Sequence, residues 1–444
     1  MELLTLNDDV LEDIIVQMNP RSAKLFSTTC RRARIIALPR VLAYITLGKN
    51  ADPRTVSEFC AFMLLDTPRR PGYVRRLKLF GSAFLVGDKR SQRAGPPLHA
   101  ILLMSKFLEH TTALQEVDIR SAEDLLREET PFKDALSTLP SLKSITLDDK
   151  TLLWFPWGRL QSLPERLKIL VTNVHSGHVA AFQSAMAQPF ARSLVSLDVG
   201  ASVLNAWTEI RVLPSLRKLS VWPGTLNRVS HLCHNFPNLT YLDVMAEVPV
   251  SSAHVHWPSL DILRLPGYDY HCSIPIASHI RRVHIVHFNV SHRSLIERIS
   301  PVVLVIGASQ YHLNFKDLAI IPTSVKYLHI HPMFLPDKAS SLIDHLKRHN
   351  LIGLCITYKL WRAGSRLGEI QFASEIQFAS EIAAFVPTLL YVGLVKHATM
   401  ELGQSSLQSR WFRVISRDSK RQIHLDALTE EAGERIEQQL LNLS

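Results

Sequence analysis

The sequence predicts an α/β protein in two parts: a small all-α segment at the N-terminus followed by a long, irregular α/β solenoid. Three observations predict it. A phrase built on apolar–Pro–x–Leu–x–x–apolar–x–apolar recurs along the chain. First apolar positions of the underlying skeleton, read at 194, 216, 239, 260, 280, 303, 325 and 351, are 20 to 26 residues apart. Residues 6–38 carry helical rather than strand periodicity.

At 444 residues the chain exceeds one ordinary core, so a repeat array or several domains are expected. Apolar residues make up 46% and charged residues 20%, which excludes a disordered chain. The longest strongly apolar stretch, Ile382 to Val395, is broken by Pro387 and too short to span a bilayer, so no membrane partner is expected. Cysteines at 30, 60, 233, 272 and 355 are scattered without a Cys-x-x-Cys pair, and the acidic N-terminus lacks signal-peptide features. A reducing cytoplasmic or nuclear setting is expected.

The N-terminal segment reads as two short amphipathic helices. Val10, Leu11, Ile14, Ile15 and Met18 form one apolar stripe after an Asp-rich start, and the helix stops before Asn19-Pro20. The second begins after Pro20 with Ser22 as its expected cap. So short a segment buries little apolar surface by itself and is expected to need the rest of the chain or a partner.

The pattern Leu6-x-x-Asp9-Val10-Leu11-x-x-Ile14-Ile15-x-x-Met18-x-Pro20, ending in Cys30-Arg31, resembles an F-box. Asn7 stands where that family has proline, and Ala33-Arg34 where a large apolar residue closes the motif. The resemblance implies that Leu6, Val10, Leu11, Ile14, Ile15, Met18, Pro20, Cys30 and Arg31 dock a Skp-type adaptor of a cullin ubiquitin ligase.

The strong copies of the repeat phrase start at Leu139, Leu213, Phe236, Trp257 and Val386, and weaker copies keep the skeleton L-x-x-L-x-L, as in Val303/Ile306/Ala308 and Val325/Leu328/Ile330. The last two apolar positions are two apart, as a half-buried strand requires, and the proline ahead of them ends the returning segment. Stacked copies share one core. This is similar to a leucine-rich repeat, which implies an irregular horseshoe whose concave sheet binds a target. The family's ladder asparagine is replaced by Lys150, Ser202, Gly224, Glu247 and Tyr268, so the turns are expected to satisfy their backbone groups by other means.

Residues between and beside the strand skeleton would line that concave face. The richest group for target binding is Lys218, Trp222, Tyr241, Asp243, Met245, Arg264, Arg282, His284, Tyr327 and His329. The expected domains are an F-box-like hook (1–46), a helical linker (47–72), the solenoid (73–400) and a capping strand and helix (401–444). The tandem copy Glu369–Ser374/Glu375–Ser380 reads as a duplication within a helix or loop. Glu430, Glu431, Ala432, Ile436 and Leu440 outline a last helix expected to cap the open end of the solenoid.

No phosphate loop, nucleophile elbow or His-Glu-x-x-His occurs, so neither an enzyme nor a cofactor is expected. Histidines at 254, 256, 284, 287, 329 and 331 have no carboxylate or cysteine at metal-site spacing; His329 and His331 read as surface residues, and Cys30 and Cys355 as structural thiols. The net charge of +10 favours an acidic or phosphorylated partner, while the basic clusters lack the aromatic array of nucleic-acid binders. Together the resemblances imply a substrate-recognition adaptor of a cullin-type ligase; the alternatives are a ligase-independent interaction scaffold and, third, a basic nucleic-acid binder.

Overall fold

A computed structural model describes residues 6–48, 51–84, 98–127, 129–171, 176–207, 211–248, 255–265, 276, 278–307, 315–333, 340–359, 368–399, 405–417 and 422–444. Thr172, His254, Tyr268, Cys272 and Ala308 lie outside them. Two compact units, Met1–Leu216 and Arg217–Ser444, make up the chain.

The first unit opens with three helices where two were expected: α1 (Asp8–Gln17), α2 (Pro20–Ser27) and α3 (Arg31–Leu42). Asn19, not Ser22, caps α2: its side chain accepts from the Ser22 N–H at 2.8 Å, with Pro20 in the first turn, where no N–H is needed. Cys30 caps α3, its sulfur accepting from Ala33 N–H at 3.4 Å. Leu11, Ile15, Ala23, Ile36 and Ala37 close a small core, with Leu6, Met18 and Phe26 against it. The Arg40 guanidinium donates to Met18 O at 2.9 and 3.0 Å, tying α3 to the end of α1.

Six parallel strands follow: β1 (Tyr44–Leu47), β2 (Arg76–Phe80), β3 (Glu116–Arg120), β4 (Ser144–Asp148), β5 (Arg166–Leu170) and β6 (Ser196–Gly200). Leu77, Val117, Ile145, Leu167 and Leu197 stack in register, and all are buried. The missing ladder asparagine is replaced here by Asp148 and Thr151. Asp148 accepts from Ser121 N at 2.6 Å and Thr151 N at 3.1 Å, and the Thr151 hydroxyl accepts from Ala122 N at 3.2 Å.

In the second unit the parallel ladder comprises β7 (Lys218–Trp222), β8 (Tyr241–Val244), β9 (Ile262–Leu265), β10 (Arg282–Ile285), β11 (Val303–Gly307), β12 (Tyr327–Met333), β13 (Gly353–Lys359) and β14 (Tyr391–Thr399). Two antiparallel strands, β15 (Ser405–Arg417) and β16 (Ile423–Ala427), finish it. This is an α/β solenoid, as the repeat spacing predicts. Both tandem copies fall in one helix, Gly368–Phe385. Among the described residues no helix is long and apolar enough to cross a membrane.

One repeat is registered differently from its sequence reading. Val283, Leu304 and Leu328 are partners across β10–β12, so Leu304 and Ile306 carry the core and Val303 points to the opposite face. The run Val302-Val303-Leu304-Val305-Ile306 has no alternation, so the skeleton can be laid on it in two ways; pairing with the neighbours decides.

Candidate binding surfaces

The hook fills its own core and still leaves large apolar side chains outside. Val10, Val16, Leu25 and Ile35 are 45%, 59%, 64% and 54% exposed. Of the residues expected to dock an adaptor, Val10, Pro20, Cys30 and Arg31 are exposed and Leu6, Ile14 and Met18 are half-buried. Leu11 and Ile15 are corrected: they are core residues of the hook itself and are not available to a partner. Val16, Leu25 and Ile35 are surface candidates that the motif does not include, the first two falling between its positions and Ile35 beyond its end. Cys30, expected as a structural thiol, is exposed and caps a helix.

In the second unit the face opposite the leucine core is written by register. One row runs Ser220, Asp243, Arg264, His284, Val305, His329, Cys355 and Gly393; the row beside it runs Lys218, Tyr241, Ile262, Arg282, Val303, Tyr327, Gly353 and Tyr391. Across β7–β9 this face is open and polar. The Lys218 ammonium sits 4.9 Å from the Tyr241 ring centroid, Arg264 pairs with Asp243 at 3.6 Å, and Trp222 and Met245 are half-buried beside them.

From β11 onward both rows become apolar or buried, because the C-terminal helix, Glu430–Leu441, lies on them. Val303, Val305, Tyr327, Cys355, Val395 and Trp411 pack with Leu440 in one cluster, with Ile436, Leu441 and Leu443 against it. A Cβ on Gly353 would come within 2.6 Å of Leu440, and one on Gly433 within 2.5 Å of Trp411. At Gly433 the rigid indole leaves room only for glycine, whereas at Gly353 the Leu440 methyls would have to shift. Arg281 and Arg282 donate to the Leu441 carbonyl, each at 2.7 Å, taking up an orphan acceptor at the helix end. Arg281 is also held in a bidentate pair with Asp261 at 2.6 and 2.7 Å, which raises its pKa, whereas burial beside Arg281 lowers that of Arg282.

Three expectations therefore change. The last helix does not simply cap the end of the repeat stack; it covers the sheet face over β11–β14. Tyr327 and His329 are buried beneath it, so neither is exposed to a target while it is seated. His329 is not a surface histidine: it is 6% exposed, and its ring stacks on that of the half-buried His331 with centroids 3.8 Å apart. Lys218, Trp222, Tyr241, Asp243, Met245 and Arg264 do share one open strip, and Arg282 and His284 stand at its border with the helix. Burial, with Arg282, Arg264 and His331 nearby, pushes the His284 pKa down to about 4.

No family model matches the chain and no curated protein does. Among solved structures, the chain is similar to one from the crystal structure of the yeast Rad7 and Elc1 complex, at 13% identity over 81% of this chain and 90% of that one, with a TM-score of 0.36. It is also similar to the leucine-rich repeat-containing protein LegL7 from Legionella pneumophila, at 14% identity over 82% of this chain and 92% of that one, with a TM-score of 0.29.

Proposed function

We propose that the protein is a substrate-recognition adaptor of a cullin-type ubiquitin ligase. In this reading the hook, residues 1–46, docks a Skp-type adaptor, and the solenoid, residues 73–400, presents the target. The target is a protein with an acidic or phosphorylated segment, held by the open strip through Lys218, Tyr241 and Arg264 with Trp222 and Met245. The protein itself catalyses nothing in this scheme, and its place of work is the cytoplasm or nucleus.

The observation that carries the reading is the hook's surface. A three-helix unit whose core is closed by Leu11, Ile15, Ala23, Ile36 and Ala37 gains nothing in stability from exposing Val10, Val16, Leu25 and Ile35. Four such side chains on one small unit offer apolar surface that a partner could cover. The F-box resemblance of residues 6–31 supplies the partner's class.

Co-purification with a Skp-type adaptor tests it. The variant to compare is Val10→Asp with Leu25→Asp, since both positions are exposed and the fold should persist. Adaptor in the wild-type eluate and its loss from the variant supports the reading. A wild-type eluate without adaptor leaves the ligase-independent scaffold, the reading that the departures at Asn7 and Ala33 favour.

A further inference from the structure

We propose that His329, Cys355 and Glu437 form a binding site for a zinc-class divalent metal that fastens the C-terminal helix to the sheet. One ligand comes from each of three elements: β12, β13 and the helix. Parallel register sets Cys355 directly beside His329, and the helix brings Glu437 over them. The ligating atoms of the three all lie within 4.8 Å of one another, and His329 Nδ1 is 3.6 Å from a Glu437 oxygen. That spacing is too long for a hydrogen bond and requires only a small contraction to place one ion between them.

The neighbours of the trio suit a ligand set. His329 Nε2 lies 3.1 Å from the buried Thr357 hydroxyl. With Nε2–H donating there, the Nδ1 lone pair is left on the Glu437 side, as in metal sites where a ligating histidine is oriented through its second nitrogen. His331 stacked on the ring fixes its plane. The Tyr327 hydroxyl neighbours both Cys355 and Glu437 and stands ready as a donor to either. Glu437 also lines an open groove along the helix with Glu434, Arg435 and Gln438.

Burial also sets the protonation of the three groups. Burial pushes the Cys355 thiol well above its usual pKa and raises the Glu437 carboxyl, and it drives His329 well below the usual imidazole value. Thiol, carboxyl and imidazole are thus all favoured in the neutral form. A divalent cation reverses this for two of them: the thiol gives its proton to solvent as the metal–sulfur bond forms, and the carboxylate stays ionised. Sulfur, imidazole nitrogen and one carboxylate oxygen are a zinc or cobalt donor set rather than one for calcium or magnesium. Three protein ligands leave one position for water.

The full chain, stripped with chelator, is titrated with Co²⁺ alone. The expected result is one ion per chain, a thiolate-to-cobalt charge-transfer band, visible bands of tetrahedral intensity, and displacement by Zn²⁺. Cys355→Ala removes the charge-transfer band, and Glu437→Gln keeps it while weakening affinity by about tenfold or more. Glu437 is half-exposed on the helix, so its variant decides the matter even where Cys355→Ala fails to fold. A wild-type titration without a saturable thiolate band, a band that survives Cys355→Ala, or unchanged affinity in Glu437→Gln overturns the proposal.

Discussion

The guanidinium of Arg282 donates to the carbonyl of Leu441 at 2.7 Å, so a strand residue closes the last turn of a helix 159 positions further along the chain. That contact marks a border on the sheet. On the β7–β9 side the face is open and charged; on the β11–β14 side it is a second core. Arg282→Ala is expected to loosen the helix end by about 1–2 kcal/mol, Arg281 retaining part of the capping. Hydrogen exchange checks this: amides of residues 436–441 should exchange faster while those of β7–β9 do not change.

Docking of the helix depends on close approach as well as on charge. Gly433→Leu must displace the Trp411 ring, which a Cβ would already meet at 2.5 Å. Leu440→Ala removes a fully buried side chain and should cost about 2–4 kcal/mol in urea unfolding. Both variants should expose the row from Tyr327 to Cys355, which labelling of Cys355 by a thiol reagent reads directly. Unchanged protection of Cys355 would contradict the covered-face description.

The open strip behaves differently because its residues bear little of the fold's stability. Arg264→Glu reverses the charge opposite Asp243 and Tyr241→Ala removes the ring beneath Lys218, and each should change unfolding free energy by no more than about 1 kcal/mol. Binding of an acidic or phosphorylated target should fall by about tenfold or more in either. A target that binds both variants as tightly as wild type lies elsewhere on the molecule.

Acid should weaken the second unit through its histidines. His284 titrates at about 4 in the folded chain against 6.5 ordinarily, and His329 well below 6.5, because burial opposes their charging. A folded-state pKa below the unfolded one means full stability above pH ~6.5 and a loss as pH falls toward ~4, where the unfolded chain takes up protons that the folded chain refuses. For His284 the whole effect is at most roughly 3 kcal/mol. Urea midpoints at pH 7.5 and 5.0 check it. Their difference should shrink in His284→Gln, which isolates this group from Glu437, whose raised pKa gives a contribution of opposite sign.

Much of this was legible in the sequence, for reasons that differ by element. Leu219, Leu242 and Val283 alternate with polar or aromatic neighbours, so spacing alone places them in register. At β11 the alternation disappears, and the misplaced phase at Val303 was itself a signal: a strand apolar on both faces is covered on both. The cover could not be read from local pattern because it comes from residues 430–441. For the same reason the histidines at 329 and 331 showed no ligand partners at short spacing, Cys355 and Glu437 being neighbours only through strand pairing and helix docking. In the hook, periodicity located the first two helices but not the third, and the motif mixed core positions, Leu11 and Ile15, with exposed ones such as Val10.

The central claim is that the hook's exposed apolar surface docks a Skp-type adaptor. Calorimetric titration of the purified chain with a purified Skp-type adaptor measures this directly. One-to-one binding in the wild type, abolished in the Val10→Asp, Leu25→Asp variant with an unchanged circular dichroism spectrum, is the result predicted. No heat of binding in the wild type, or equal affinity in the variant, would contradict it.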